Sequence, residues 1–272
     1  MSQNIQNPGS AIGQAIGAEM EKSLNGFLTE LVEGRGYHFL SKGPLTNAMG
    51  KPKKLLMYDK FGTEYNIDSV IANESMQPIV LLESKYIRYK KHNRDKGSWI
   101  CTAHPALRRR YASIRSSIAV LAGSWSSSSI AMMKSHDINI FLIPFQRICD
   151  LSAVFGIKFD WDEKDRETAF LAWEKYALLS PDQRASIGTE MINFIKADLG
   201  ELVLSILDDQ AERKIERVTL ELHSNLGEVK TYEFSEVGEA IGFLNVAELK
   251  NIFITGDSLT LFDPPPGRDD DE

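Results

Sequence analysis

The strongest constraint on this chain is a pair of short, nearly uninterrupted apolar runs. Pro78-Ile-Val-Leu-Leu82 opens the segment Pro78–Tyr86, and Asp137–Pro144 reads DINIFLIP. Each is shorter than an ordinary helix and is closed by charged residues or proline, the pattern of a strand covered on both faces. Such a sheet needs helices packed against it. The stretch Ile12–Glu33 supplies one, because Met20, Leu24, Phe27, Leu28 and Leu31 recur at helical spacing and Gly34 and Gly36 follow.

The spacing predicts strands over Leu55–Tyr58 and Glu64–Ala72, joined by a hairpin turn at Asp59–Gly62. A basic loop over Ile87–Ala103 then leads to Pro105, which suits the first turn of a helix reaching about Ala122. Gly123–Ser129, GSWSSSS, reads as a loop. The first half is therefore expected to run helix, three strands, helix, strand. Beyond it, helices are expected over Asp165–Leu178 and from Pro181 to about Lys214. A hairpin over Val218–His223 and Val229–Phe234 and two short strands, Asn251–Thr255 and Ser258–Phe262, follow.

With 272 residues, 43% of them hydrophobic, the chain can bury a sizeable core as one enlarged domain or a core with an extension. The division expected is a core over 10–160, a helical and β extension over 161–262, and a disordered acidic tail over 263–272, DPPPGRDDDE from Asp263. Cys101 and Cys149 are too few and too far apart for a disulfide framework or a cysteine zinc site. No apolar run approaches the ~18 residues of a membrane span, and the polar start lacks the order of a secretory signal. A soluble, cytoplasmic protein without a membrane partner is the expectation.

Charge is distributed unevenly. The net charge is −7, yet Arg35–Arg115 holds sixteen basic against six acidic residues, while the flanking parts are both acidic. A basic block of this kind either attracts phosphates or is a solvated lysine-rich face.

The chemistry concentrates around Tyr65-Asn-Ile-Asp68 and Leu82-Glu83-Ser84-Lys85-Tyr86. Residues two apart on a strand share a face, so Glu83 and Lys85 project together. With Asp68 brought beside them, two carboxylates and a backbone carbonyl can hold Mg²⁺, which accepts oxygen ligands and keeps several waters. The ion would neutralise charge on a scissile phosphate, and Lys85 would orient or deprotonate the attacking water. An acid two residues before a lysine occurs five times in the chain, so the tripeptide alone carries little. Only Glu83 directly follows an apolar run and has an aspartate in a preceding strand, fifteen positions upstream. The competing reading is a structural Glu83–Lys85 pair at the strand end.

Asp68 followed by Glu83-Ser84-Lys85 resembles the signature of the PD-(D/E)XK superfamily, the restriction-endonuclease-like phosphodiesterases. The predicted order over Ile12–Pro144 matches the α-β-β-β-α-β order of that family. The resemblance implies an α/β fold with a mixed sheet and metal-dependent cleavage of nucleic acid. Its metal ligands would be Asp68, Glu83 and the backbone oxygen of Ser84, with Lys85 beside the water. Glu21 fits, in order and facing, the further acid that many members carry on an N-terminal helix. Ile67 stands where the signature has proline. Mg²⁺, or Mn²⁺ in its place, is the implied cofactor. Double-stranded DNA is the implied substrate and restriction or genome defence the implied setting, with a homodimer to cut both strands. A nuclease acting on RNA, or a noncatalytic nucleic-acid-binding or assembly protein on the same core, are the rivals.

Around the motif, Arg88, Lys90, Lys91, Arg94 and Lys96, interleaved with Tyr86 and Tyr89, are candidates for contacting phosphates, together with Arg108 from the following helix. A solvated loop is the alternative. His92, His104 and His136 lack ligand spacing, and Ser126–Ser129 lacks a histidine and acid pattern, so neither set is expected to be catalytic.

Overall fold

The computed structural model describes residues 7–43, 54–89, 93–247 and 251–253, and the chain divides into two compact units, Met1–Asp208 and Asp209–Glu272. The first unit opens with α1 (Pro8–Val32), whose N-terminus is fixed by the Asn7 side chain accepting from the Ser10 amide at 3.0 Å. Ile12, Ile16, Met20, Leu24, Leu28 and Val32 lie four residues apart and are all buried. That stripe seats the helix on the sheet, and each such side chain contributes about 1.5–3 kcal/mol by leaving water.

The sheet has five strands in the order β1 (Tyr37–Leu40), β4 (Ser69–Asn73), β5 (Pro78–Ile87), β6 (Ser116–Gly123), β7 (Ile138–Pro144). β1, β4 and β5 pair antiparallel, and β5, β6 and β7 pair parallel, so the sheet is mixed and the architecture α/β. A separate hairpin, β2 (Leu55–Tyr58) with β3 (Glu64–Ile67), is inserted between β1 and β4. Helix α2 (Asn93–Arg108) links β5 to β6, and α3 (Ser127–Lys134) links β6 to β7, as parallel pairs require. Alternation along β5 assigns its faces. Val80 and Leu82 join the core beneath α1, whereas Leu81 packs with Ala103 and Leu107 of α2. Glu83 and Lys85 share the side of Leu81, the α2 side.

Four helices complete the unit: α4 (Phe145–Ala153), α5 (Arg166–Leu178), α6 (Pro181–Asn193) and α7 (Lys196–Ile206). Residues of all four share the core that α1 and the sheet build, so the compact unit runs to Asp208 and does not stop at residue 160. Where α6 crosses α1 the approach is very close. A Cβ built on Gly188 would lie 2.3 Å from the Glu19 carbonyl oxygen, so only glycine permits it.

In the second unit, β8 (Val218–His223) and β9 (Val229–Phe234) form the expected hairpin. Helix α8 (Val237–Val246) brings Phe243 against Tyr232 and Phe234, with ring centroids 4.5 and 5.4 Å away. No helix among the described residues is long and apolar enough to cross a membrane.

Several expectations are corrected. The helix from Pro105 to Ala122 does not form. Pro105 lies near the end of α2, which begins at Asn93, and Ser116–Gly123 is a strand with all eight residues buried. Of the basic residues that suggested a loop, Arg94 and Lys96 lie on the exposed face of α2, whose buried face is Gly97, Ile100, Cys101, His104 and Leu107. GSWSSSS is loop only in part, since Ser126 caps α3 through the Ser129 amide. The helix from Pro181 breaks at Phe194–Ile195 and ends at Ile206. Asn251–Phe253 is turn, while the rest of the two final strands and the tail 263–272 lie outside the described residues.

Candidate active site

Asp68 occupies the bend between β3 and β4, where the chain leaves the inserted hairpin and enters the central sheet. Because Ser69 is in register with Leu82, the bend falls beside Glu83. The Asp68 amide donates to Glu83 Oε1 at 3.2 Å, and the Ser84 amide donates to Asp68 Oδ2 at 3.3 Å. These two bonds lock the bend to the strand. Lys85, one pleat beyond Glu83, returns its ammonium to both acids: Nζ lies 2.5 Å from Asp68 Oδ2 and also donates to Glu83 Oε2.

Lys54, just before β2, adds a second ammonium 2.5 Å from Asp68 Oδ1. Glu83 is wholly buried, and the side chain of Lys85 is 21% exposed. The group thus runs from the core to the surface. The ring of Trp99 on α2 lies 5.9 Å from Lys85 Nζ and is partly open to solvent. His104, also on α2 and fully buried, places Nε2 4.0 Å from Glu83 Oε1, and neither ring nitrogen reaches a hydrogen-bond partner.

Burial would raise the Asp68 carboxyl. The link to the Glu83 side chain and the ammonium groups of Lys85 and Lys54 outweigh it and hold Asp68 well below the usual carboxylate range. Burial likewise would lower Lys85, yet the facing charges of Glu83 and Asp68 raise it above its ordinary value. At neutral pH the centre therefore holds an ionised Asp68 and a protonated Lys85.

Of the residues singled out by sequence, Asp68, Glu83, Ser84 and Lys85 come together. Glu21 does not join them. It is exposed on α1, and α1 covers the opposite side of the sheet, so the helix that was to supply a further acid faces the wrong way. Arg94 and Lys96 are exposed on the first turns of α2, and Arg108 is half-buried at its last residue. Arg88 is buried and donates to the carbonyls of Phe159 at 2.5 Å and Trp161 at 3.1 Å, so it is not presented at the surface with them. Lys90 and Lys91 lie outside the described residues.

Two residues escaped the sequence reading. Lys54 had no signal within its own lysine-rich stretch, and His104 was set aside as lacking ligand spacing, although its proximity to Glu83 depends on helix packing.

The donor set suits a hard cation. Oδ2 of Asp68 and Oε2 of Glu83 converge on one positively charged point, filled here by Nζ of Lys85, and both donors are carboxylate oxygens. No group of three His, Cys, Asp or Glu side chains gathers to hold an ion among the described residues. Mg²⁺ is commonly held by one or two carboxylates with waters and substrate oxygens completing its shell, so two acids meet that requirement.

No protein-family model and no curated protein sequence matches the chain. A crystal structure of a protein of unknown function, AF1548, aligns over 64% of this chain and 98% of its own. Its sequence is 9% identical and its TM-score is 0.32, a likeness that carries no argument about fold or function.

Proposed function

We propose that this protein is a divalent-metal-dependent phosphodiesterase acting on nucleic acid, of the PD-(D/E)XK type. The observation that carries the reading is the convergence of the Asp68 and Glu83 carboxylates on Nζ of Lys85, from a strand bend and the adjacent strand. The order of elements in the central sheet supports it: α1, β1, β4, β5, α2, β6 runs helix, three antiparallel strands, helix, parallel strand. This is the α-β-β-β-α-β order, reached through other elements than the sequence suggested, since β1 is the first strand and β6 the last.

In this reading Asp68, Glu83 and the Ser84 carbonyl hold the ion. When bound, Mg²⁺ supplies Lewis-acid stabilisation of the phosphate and lowers the pKa of a bound water. Asp68 enters already ionised, held so by its ammonium neighbours, and needs no deprotonation before it serves as a ligand. Lys85 works as a cation, because its raised pKa makes it a poor base at neutral pH. Its ammonium orients the two acids and donates to the charge that develops on a phosphate oxygen. The exposed Arg94 and Lys96 on α2 lie on the chain that follows β5 and suit contacts with a polyanionic backbone. Duplex DNA, a defensive role and a homodimer that cuts both strands follow from the resemblance.

A noncatalytic nucleic-acid-binding role is favoured by a different observation. Each oxygen of the two carboxylates already has an ammonium or amide partner within the chain, so the cluster can tie hairpin to sheet without an ion. The experiment that separates the readings incubates plasmid DNA and an RNA transcript with the purified protein in Mg²⁺, in Mn²⁺ and in EDTA. Metal-dependent cleavage of either polymer supports hydrolysis. Binding without cleavage under every condition supports the second reading.

A further inference from the structure

A cavity of about 660 Å³ opens at the carboxyl end of β5, between the first turns of α1 and the segment 161–169. Tyr86, which lines it, leaves β5 on the face opposite Glu83 and Lys85, so this space is distinct from the carboxylate cluster. Outside the carboxyl ends of parallel strands is where open α/β sheets place their ligands.

Its charge is one-sided. Arg88, Lys96 and Arg166 line it, against the single acidic residue Glu163. Arg88 is the informative member, being 9% exposed. Of the five N–H donors on a guanidinium, one goes to the Phe159 carbonyl and one to the Trp161 carbonyl, while Nε reaches no acceptor. The ring of Trp161 covers one face, its centroid 3.6 Å from the guanidinium carbon. No carboxylate of the described residues forms an ion pair with this buried charge. Carbonyls and ring faces soften the penalty of burying a cation, but an anion is what balances it. The N-terminus of α1, a helix of 25 residues, borders the same space and adds its positive end.

We infer that this cavity binds a phosphomonoester, with Arg88 as the buried anchor and Lys96 at the rim. A volume of about 660 Å³ is large for inorganic phosphate alone and suits a nucleotide. The phosphate can come from a free nucleoside monophosphate or from the 5′-phosphorylated end of a strand, and the chemistry that recognises both is the same. The inference does not depend on hydrolysis at Asp68 and Glu83.

Calorimetric titration of the full chain tests it with adenosine monophosphate, adenosine, and a short single-stranded oligonucleotide with and without a 5′-phosphate. The expected result is that a phosphorylated probe binds about ten-fold or more tightly than its unphosphorylated counterpart. Binding by the monophosphate alone identifies a free-nucleotide site, and binding by the phosphorylated oligonucleotide alone a strand-end site. Arg88→Gln and, separately, Lys96→Ala should weaken that binding, with the larger loss for Arg88. Lys96 is exposed, so its replacement keeps the test valid if the Arg88 variant does not fold. Equal affinity with and without phosphate, no binding of either phosphorylated probe at millimolar concentration, or binding indifferent to Lys96→Ala and to a folded Arg88→Gln overturns the assignment.

Discussion

The ammonium of Lys85 lies 2.5 Å from Asp68 Oδ2, although seventeen positions of chain separate the two residues. Lys85 comes from the half-buried C-terminal part of β5 and Asp68 from a bend outside that strand, so their meeting couples the central sheet to the inserted hairpin. A double-mutant cycle with Asp68→Asn and Lys85→Met, followed by urea unfolding, should return a coupling of about 1–3 kcal/mol. A coupling near zero would show that the two charges interact chiefly with water.

The same pair sets a pH dependence. Asp68 is lowered in the folded state, so its contribution is complete above about 4, its ordinary value, and is lost as pH falls through the folded value. Lys85 is raised, so its contribution is complete below about 10.4 and is lost as pH climbs through the folded value above that. The destabilisation caused by Asp68→Asn should therefore be full at neutral pH and shrink on acidification below about 4. Unfolding midpoints of parent and variant measured across acid pH check this, and a constant difference would contradict it.

Helix packing makes a separate prediction. A Cβ on Gly188 meets the Glu19 backbone at 2.3 Å, whereas one on Gly26 of α1 meets nothing within 4 Å. Gly188→Ala must push α6 away from α1 and should cost about 1–3 kcal/mol. Gly26→Ala, at an exposed helical position, should stabilise by about 0.5–1 kcal/mol. Thermal unfolding of both variants reads the opposite signs.

How legible the molecule was depended on how local each signal is. The α1 stripe, the buried strand at Pro78 and the β8–β9 hairpin are written as periodicity and turn residues within ten to twenty positions, and they form where expected. The run at Ile138 instead forms a strand at the sheet edge with Ile138 and Ile143 alone buried, because no strand pairs with its far side among the described residues. Ser116–Gly123 was misassigned because eight buried residues show no period, and only a neighbouring strand on each side decides that the run is extended. Tyr37–Leu40 was missed because an edge strand of four residues has too few positions to show alternation.

The site divides in the same way. Glu83 and Lys85 were readable from strand alternation, and Asp68 from its place before the apolar run. The position of Glu21 depends on which side of the sheet α1 covers, and that is fixed by packing with α5 and α6, far along the chain. Arg88 looked like a member of a basic surface, but the aromatic carbonyl-bearing segment that buries it lies over seventy residues away.

The central claim is that the carboxylates of Asp68 and Glu83 serve hydrolysis, and single-turnover cleavage of plasmid DNA in Mg²⁺ tests it most directly. Parent protein and the folded variants Asp68→Asn and Glu83→Gln should bind DNA comparably, while the variants cut slower by about 10²-fold or more. Variants that cut as fast as the parent, or a parent that binds DNA and RNA but cleaves neither, would contradict the account.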